Sequence, residues 1–132
     1  MIKEKSCGCI AIYDGKVLMI KHNKGHWSFP KGHVENNETE IETAIREVKE
    51  ETNIDVIPNE KYRYVETYKT DFDSIKDVIY FIAKPTSFKI KNQEEEVSKA
   101  EFVKIEDAIN LITYDNTREL FKKALNDINY KF

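Results

Sequence analysis

The stretch REVKEETN, residues 46–53, places three glutamates within about two turns of a predicted helix. We predict the helix over residues 39–52, because four apolar residues there follow the i, i+3, i+4, i+7 spacing of a buried stripe. These are Ile41, Ala44, Ile45 and Val48. Asn37 followed by Glu40 resembles a capping box at the helix start. The fold is therefore expected to be organised around one amphipathic helix with an acidic face.

The three glutamates are expected to share that acidic face. At about 100° per residue, Glu47, Glu50 and Glu51 fall within one sector roughly 100° wide, and Arg46 points another way. Like charges at these spacings cost a few tenths of a kcal/mol per pair, and acids near a helix C-terminus oppose its dipole. A Mg²⁺ ion prefers such hard oxygen ligands. The face is therefore either a metal site or a solvated acidic surface.

The stretch before the helix favours the metal site. FPKGHVENNE, residues 29–38, puts Lys31 beside Gly32 in a loop that leads to the helix start. Exposed backbone N–H groups and an ammonium group suit anionic phosphate oxygens. A loop that binds phosphate and a helix that binds metal fit metal-assisted attack on a phosphoryl group.

The same residues resemble the Nudix box, Gly-x5-Glu-x7-Arg-Glu-U-x-Glu-Glu-x-Gly-U, where U is a bulky aliphatic residue. Gly32, Glu38 and the segment 46–54 match it, except that Asn53 replaces the second glycine. A glycine just after a helix usually adopts the left-handed conformation, and asparagine is its commonest substitute. The resemblance implies an α+β fold, the Nudix-type α/β/α sandwich with a central mixed sheet, formed by residues 1–132 as a single domain.

The Nudix resemblance also implies roles for individual residues. Glu47 or Glu50 would act as the catalytic base, and Arg46 would be structural, pairing with Glu38. Mg²⁺ or Mn²⁺ would be the cofactor. The implied metal ligands are Glu47, Glu50, Glu51 and the Gly32 carbonyl, with Glu96 as a further ligand and Glu95 as its nearest alternative.

Three segments outside the box are similar to the diadenosine tetraphosphate hydrolases: residues 26–35, 78–84 and 112–125. The similarity implies that Lys31 and His26 contact phosphates and that Tyr80 and Tyr114 stack on a nucleobase. Lys76, just before the strand of Tyr80, is a further candidate for phosphate contacts. Each has an alternative: Tyr80 as a core aromatic residue, the others as surface residues, and QEEEVSK (93–99) as a solvated loop.

The expected activity is metal-dependent, asymmetric cleavage of diadenosine tetraphosphate to ATP and AMP. One alternative is another Nudix activity, on nucleoside triphosphates or on the 5′ end of RNA. An alternative of another class is a catalytically silent module that binds nucleotides, which would be expected to lose one or more box glutamates. All three are present here.

Composition limits the partners that we expect. A net charge of −3 over 132 residues argues against bulk electrostatic binding of nucleic acid. No apolar run approaches the roughly 18 residues of a membrane span, and no signal peptide is evident. Cys7 and Cys9 are expected to be reduced, half-buried thiols. We therefore expect a cytosolic monomer or weak dimer that acts on a small molecule.

The rest of the chain predicts mainly strands. Asp14-Gly15 indicates a tight hairpin turn, and DVIYFIAKP (77–85) indicates a buried central strand. IDVIP (54–58) is predicted as a short strand ended by Pro58, YRYVETYKT (62–70) as a separate strand and FDSIK (72–76) as a turn. Two further helices are expected near the end, over EDAINLI (106–112) and NTRELFKKALNDI (116–128).

Overall fold

Within residues 2–70 and 73–130, which the computed structural model describes, seven strands form one sheet and three helices pack on its faces. The strands are β1 (Ile2–Tyr13), β2 (Lys16–His22), β3 (Trp27–Ser28), β4 (Lys31–His33), β5 (Val56–Lys69), β6 (Ser74–Pro85) and β7 (Val97–Lys104). The helices are α1 (Glu40–Thr52), α2 (Ile105–Leu111) and α3 (Asp115–Asp127). None of these helices is long and apolar enough to span a bilayer.

The sheet is mixed, as predicted. Its main order is β3-β2-β1-β6-β5, with β4 also paired to β1 and β7 to β2. β1 and β6 run parallel, and the other pairs are antiparallel. The predicted hairpin turn is confirmed: Asp14 and Gly15 both have positive φ and join β1 to β2.

Successive side chains of a strand point to opposite faces of the sheet, and a hydrophobic core lies on each face. On β6, Val78 and Tyr80 point into the core that α2 and α3 cover, whereas Ile79 and Phe81 point into the core under α1. Such alternation follows from the two-residue period of a strand. The layers are therefore helix, sheet and helix, which confirms the predicted α/β/α sandwich.

The predicted helix is present, but its start differs from the prediction. The capping box joins Thr39 and Glu42, not Asn37 and Glu40. Glu40 instead forms ion pairs with Lys5 and Arg63. Within the predicted stripe, Ala44 and Val48 are fully buried, but Ile45 is 38% exposed, because it lies at the edge of the buried face.

The helix ends as the sequence indicates. Asn53 has φ 68°, in the left-handed region, and its N–H donates to the Lys49 carbonyl. Its side-chain amide donates to the Lys89 carbonyl. The asparagine therefore serves the cap that a glycine would otherwise form.

Three further predictions need correction. Residues 56–69 form one strand, because the register shift between Pro58 and Arg63 lets the chain pass the proline and pair again with β6. Ser74–Lys76, predicted as part of a turn, belong to β6, and Phe72 lies outside the described residues. Cys7 and Cys9 are free but fully buried, and burial raises the pKa of each thiol.

Candidate active site

Strand β4 brings Lys31 and Gly32 against the acidic face of α1. The Lys31 N–H donates to Glu51 Oε1 over 2.9 Å. A Cβ atom at Gly32 would overlap the carboxyl group of Glu47. Glycine at position 32 therefore allows the helix carboxylates to approach the strand closely.

The three glutamates of α1 occupy different environments. Glu51 is 2% exposed, the side chain of Glu47 is 12% exposed, and that of Glu50 is 48% exposed. Burial raises the pKa of Glu51 to about 8, and the charges of Glu47 and Glu96 add to this, although the Lys31 N–H opposes it. Burial also raises the pKa of Glu47, against the hydrogen bond from Arg46. The carboxylates of Glu47 and Glu51, one helical turn apart, are thus poorly hydrated in their charged forms.

Arg46 is folded over the helix carboxylates, contrary to the predicted orientation. Its guanidinium donates to both oxygens of Glu38, over 2.6 and 2.9 Å, and to Glu47 over 2.8 Å. It also reaches Glu50 and the His33 carbonyl. The Cα–Cβ bonds of residues 46 and 47 point about 100° apart around the helix, as predicted. The arginine side chain is long enough to bend back over the helix surface and reach Glu47.

Glu96 lies in the loop that precedes β7. The loop is attached to the end of α1 by the Gln93 N–H, which donates to the Glu51 carbonyl over 3.2 Å. Asn23 fixes the other side of the loop, because its side-chain amide donates to the carbonyls of Glu94 and Glu95. Glu95 lines a cavity of about 440 Å³ together with Glu50. Asn23 was not identified from the sequence, because its contacts lie more than 70 residues away.

The donor set of this site suits a hard divalent cation. No three His, Cys, Asp or Glu side chains converge as a ready-made site within the described ranges. However, Glu51 is buried and Glu47 is largely buried, and burial raises the pKa of both carboxyl groups. The charge of Glu47 raises the pKa of Glu51 further. A cation would relieve both effects, and oxygen donors are the ligands that Mg²⁺ and Mn²⁺ prefer.

A cavity of about 460 Å³ opens beside Lys31. Three further predicted residues line it: His26, Tyr80 and Tyr114. The wall also contains residues that the sequence did not single out, namely Ser28, Glu66, Tyr68, Asn116 and Thr117. A larger, more open groove of about 810 Å³ runs between β5 and α3. Lys31, whose N–H contacts Glu51, does not line this groove.

Three aromatic rings, two of which line the cavity, lie in contact with one another. The rings of His22 and His26 stack with centroids 4.0 Å apart, and the ring of Tyr114 lies 5.6 Å from that of His26. Burial, followed by the charge of His26, lowers the pKa of His22 to about 4. Burial and the charges of Lys31 and Lys24 lower the pKa of His26. The neutral imidazole forms are therefore favoured.

Tyr68 is better exposed for base stacking than Tyr80. Tyr80 is 1% exposed and packs edge-on against Phe29, so its ring is part of the core. Tyr68 is 38% exposed and Tyr114 is 56% exposed, and both line the cavity. Lys76 pairs with Tyr68 across β5 and β6, and burial together with the charge of Lys31 lowers its pKa. The predicted stacking role of Tyr80 is thus not supported by its burial.

Comparisons with known proteins show which family the chain resembles. The model of the NUDIX domain family matches residues 3–125. Nudix hydrolase 10 of Arabidopsis thaliana is 35% identical over 118 residues, which cover 80% of this chain and 41% of that protein. The chain thus spans about two fifths of the length of this and three similar Arabidopsis proteins.

Another relative matches over most of its length. The asymmetrical bis(5′-nucleosyl)-tetraphosphatase of Caenorhabditis elegans is 31% identical over 111 residues, which cover 81% of this chain and 79% of that protein. A crystal structure of a C. elegans Ap4A hydrolase binary complex superposes with a TM-score of 0.84 at 26% identity. The superposition covers 96% of this chain and 98% of the other.

Proposed function

The chain belongs to the Nudix family, and we propose that it hydrolyses a phosphoanhydride bond of a nucleoside polyphosphate. The proposed substrate is diadenosine tetraphosphate, cleaved asymmetrically to ATP and AMP. One observation carries the proposal: a single cavity joins Lys31 and His26 to two exposed tyrosines, beside the carboxylates of α1. The similarity to asymmetrical tetraphosphatases supports a dinucleotide as the substrate.

Tyr68 and Tyr114 are proposed to hold one adenine. Their rings are the exposed aromatic groups of the cavity, and base stacking on an aromatic ring contributes roughly 1–3 kcal/mol. Tyr80 would form the wall behind them. The base would then lie at the end of the cavity away from the α1 carboxylates, with the polyphosphate directed towards Lys31.

Three side chains are proposed to bind the polyphosphate. Lys31 supplies a positive charge at the junction between the cavity and α1. Lys76 supplies a second, partly buried charge, and it lies close enough to Lys31 for the charge of Lys31 to lower the pKa of Lys76. Neutral His26 supplies a ring N–H donor in the cavity wall. The substrate would therefore be oriented by charge at one side and by stacking at the other.

Glu47, Glu50, Glu51 and Glu96, with the Gly32 carbonyl, are proposed to hold Mg²⁺ or Mn²⁺. When bound, such an ion neutralises phosphate oxygens and lowers the pKa of water. The chain must also supply a base for the attacking water. Glu50 is our preferred base, with Glu47 as the alternative, because Glu50 is the most exposed of the α1 glutamates and can reach solvent.

A product panel tests this proposal. The protein is incubated with Mg²⁺ or Mn²⁺ and separately with diadenosine tetraphosphate, ATP, an oxidised nucleoside triphosphate and triphosphorylated RNA, and the products are resolved by chromatography. We expect AMP and ATP from the dinucleotide at the highest kcat/KM. Equal or faster turnover of a mononucleotide or of RNA would refute diadenosine tetraphosphate as the preferred substrate.

A variant and a matched control test the role of Glu50. Glu50→Gln keeps the size of the side chain and is expected to lower kcat by at least about 100-fold, in the range of a lost general base. Glu119→Gln, an exposed substitution on α3, serves as the control and should match the wild type. Full activity in Glu50→Gln would show that Glu50 is not the general base. Glu47 would then be the candidate, and Glu47→Gln would test it.

A further inference from the structure

Glu66 is a carboxylate in the wall of the proposed base site. It lies on β5 two residues before Tyr68, so both side chains point to the same face of the sheet, roughly 7 Å apart. Both also line the 460 Å³ cavity with Tyr114. A nucleobase placed between the tyrosines would thus have Glu66 within reach of its edge.

One oxygen of Glu66 is fixed by a buried hydroxyl group. Thr117 is 4% exposed, and its Oγ1 donates to Glu66 Oε1 over 2.7 Å. Thr117 sits in the first turn of α3, whose packing against β5 sets its position. The carboxylate is therefore held in one orientation rather than swinging in solvent as a surface glutamate does.

The second oxygen of Glu66 has no protein donor. Across residues 2–70 and 73–130, neither a hydrogen bond to Oε2 nor an ion pair to Glu66 is formed. An ionised carboxylate can only accept hydrogen bonds. A partly buried acceptor without a partner requires a donor from the ligand, because leaving it unpaired when a ligand excludes water is unfavourable.

We infer that Glu66 determines which base the site accepts, by accepting a hydrogen bond from an exocyclic amino group. This inference rests on the proposed function. Adenine carries such a group at C6. Hypoxanthine has the same ring size and stacking surface, but it carries a carbonyl oxygen there, which a carboxylate repels. A site built around a fixed polar partner rejects an analogue that lacks the matching group.

The test compares adenine and hypoxanthine substrates that are otherwise identical. For the wild type, kcat/KM for the adenine dinucleoside tetraphosphate should exceed that for the hypoxanthine analogue by on the order of 10- to 100-fold. Glu66→Gln, which can donate as well as accept, should reduce the ratio to below about threefold. Glu119→Gln, a glutamate outside this cavity, should retain the wild-type ratio.

A second pair of variants acts on the orientation of Glu66. Thr117→Ser keeps the hydroxyl donor and should keep the selectivity, whereas Thr117→Val removes the donor with little change in shape and should lower it. Circular dichroism confirms that each variant is folded. A wild-type ratio near one, or an unchanged ratio in Glu66→Gln, would overturn the inference.

Binding measurements separate this inference from the proposed reaction. AMP and IMP are titrated into the wild type and Glu66→Gln by calorimetry, without any need for hydrolysis. Tighter binding of AMP that disappears in Glu66→Gln supports the role of Glu66 even if the tetraphosphate is not hydrolysed. Equal binding of AMP and IMP to the wild type refutes it even if the tetraphosphate is the substrate.

Discussion

Glu51→Gln should stabilise the metal-free protein while removing most of its activity. Glu51 is 2% exposed, and burial is the main reason that its pKa rises from 4.5 to about 8. Glutamine has nearly the same shape, carries no charge and keeps an oxygen to accept the Lys31 N–H. The substitution therefore removes an unfavourable buried charge without opening a cavity.

The size of the effect should depend on pH in a defined direction. An acid whose pKa is higher in the folded state contributes full stability below its unfolded pKa and loses that stability as the pH rises towards the folded pKa. At about 1.4 kcal/mol per pH unit, the advantage of Glu51→Gln is near zero at pH 4.5, about 3 kcal/mol at pH 7, and about 5 kcal/mol above pH 8. For a chain of this length, 3 kcal/mol corresponds to a rise in Tm of roughly 10 °C.

Thermal unfolding in EDTA at pH 5 and pH 8 measures this difference. The gap in Tm between Glu51→Gln and the wild type should be larger at pH 8. Because the proposed metal site forms only in the folded state, added Mg²⁺ or Mn²⁺ should raise the Tm of the wild type and have less effect on the variant. Glu50→Gln is the matched control, because Glu50 is 48% exposed and should give a much smaller gap. A gap that is absent, or equal at both pH values, would refute the assignment of Glu51 as a buried, poorly hydrated carboxylate.

Three other changes should have distinct outcomes. Gly8→Ala should lower the free energy of unfolding by about 2 kcal/mol or more in urea titrations, because the new Cβ would overlap the Pro30 carbonyl oxygen; wild-type stability would contradict this close approach. Tyr68→Ala should raise KM on the order of 10-fold, as expected for lost stacking, whereas Tyr68→Phe should stay near the wild type; an unchanged KM in the alanine variant would return the stacking role to another ring. His22 has its pKa lowered from 6.5 to about 4, mainly by burial, so it contributes stability above pH 6.5 that is lost as the pH falls towards 4. His22→Gln should therefore lose about 2 kcal/mol less than the wild type between pH 7 and pH 5 in denaturant titrations, and an equal loss in both would argue against a buried neutral imidazole.

Features set by neighbouring residues could be predicted from the sequence. The turn at Asp14-Gly15 and the cap at Asn53 depend on which residues tolerate positive φ, and both have it. The stripe that includes Val48 depends on helix periodicity alone. The family resemblance, carried by residue types at fixed spacing, then indicated the layered fold that the two cores confirm.

Features set by contacts across the sheet could not be predicted in the same way. The family similarity implies a stacking role for Tyr80, but an apolar strand between β1 and β5 buries its aromatic rings. Tyr68 belongs to an edge strand, and only the pairing of β5 with β6 and the position of α3 bring it to the cavity. Glu66 became noticeable only through Thr117, which is 51 residues away in sequence.

Protein cations compensate some carboxylates on the acidic face of α1 but not others. This difference favours binding of a metal next to Glu51. Arg46 forms ion pairs with Glu38, Glu47 and Glu50, so the repulsion expected from their spacing is largely offset within the protein. Glu51 receives only the Lys31 N–H, and no lysine or arginine side chain within the described residues forms an ion pair with it. A divalent cation therefore gains most where Glu51 lies, since the charge there is the least hydrated and the least compensated. Removing Arg46 would spread repulsion over the whole face, whereas Glu51→Gln would remove the buried charge that the protein compensates least. Glu50 pairs with Arg46 and Glu51 pairs with no cation within the described residues, so we expect the two glutamates to respond differently to substitution.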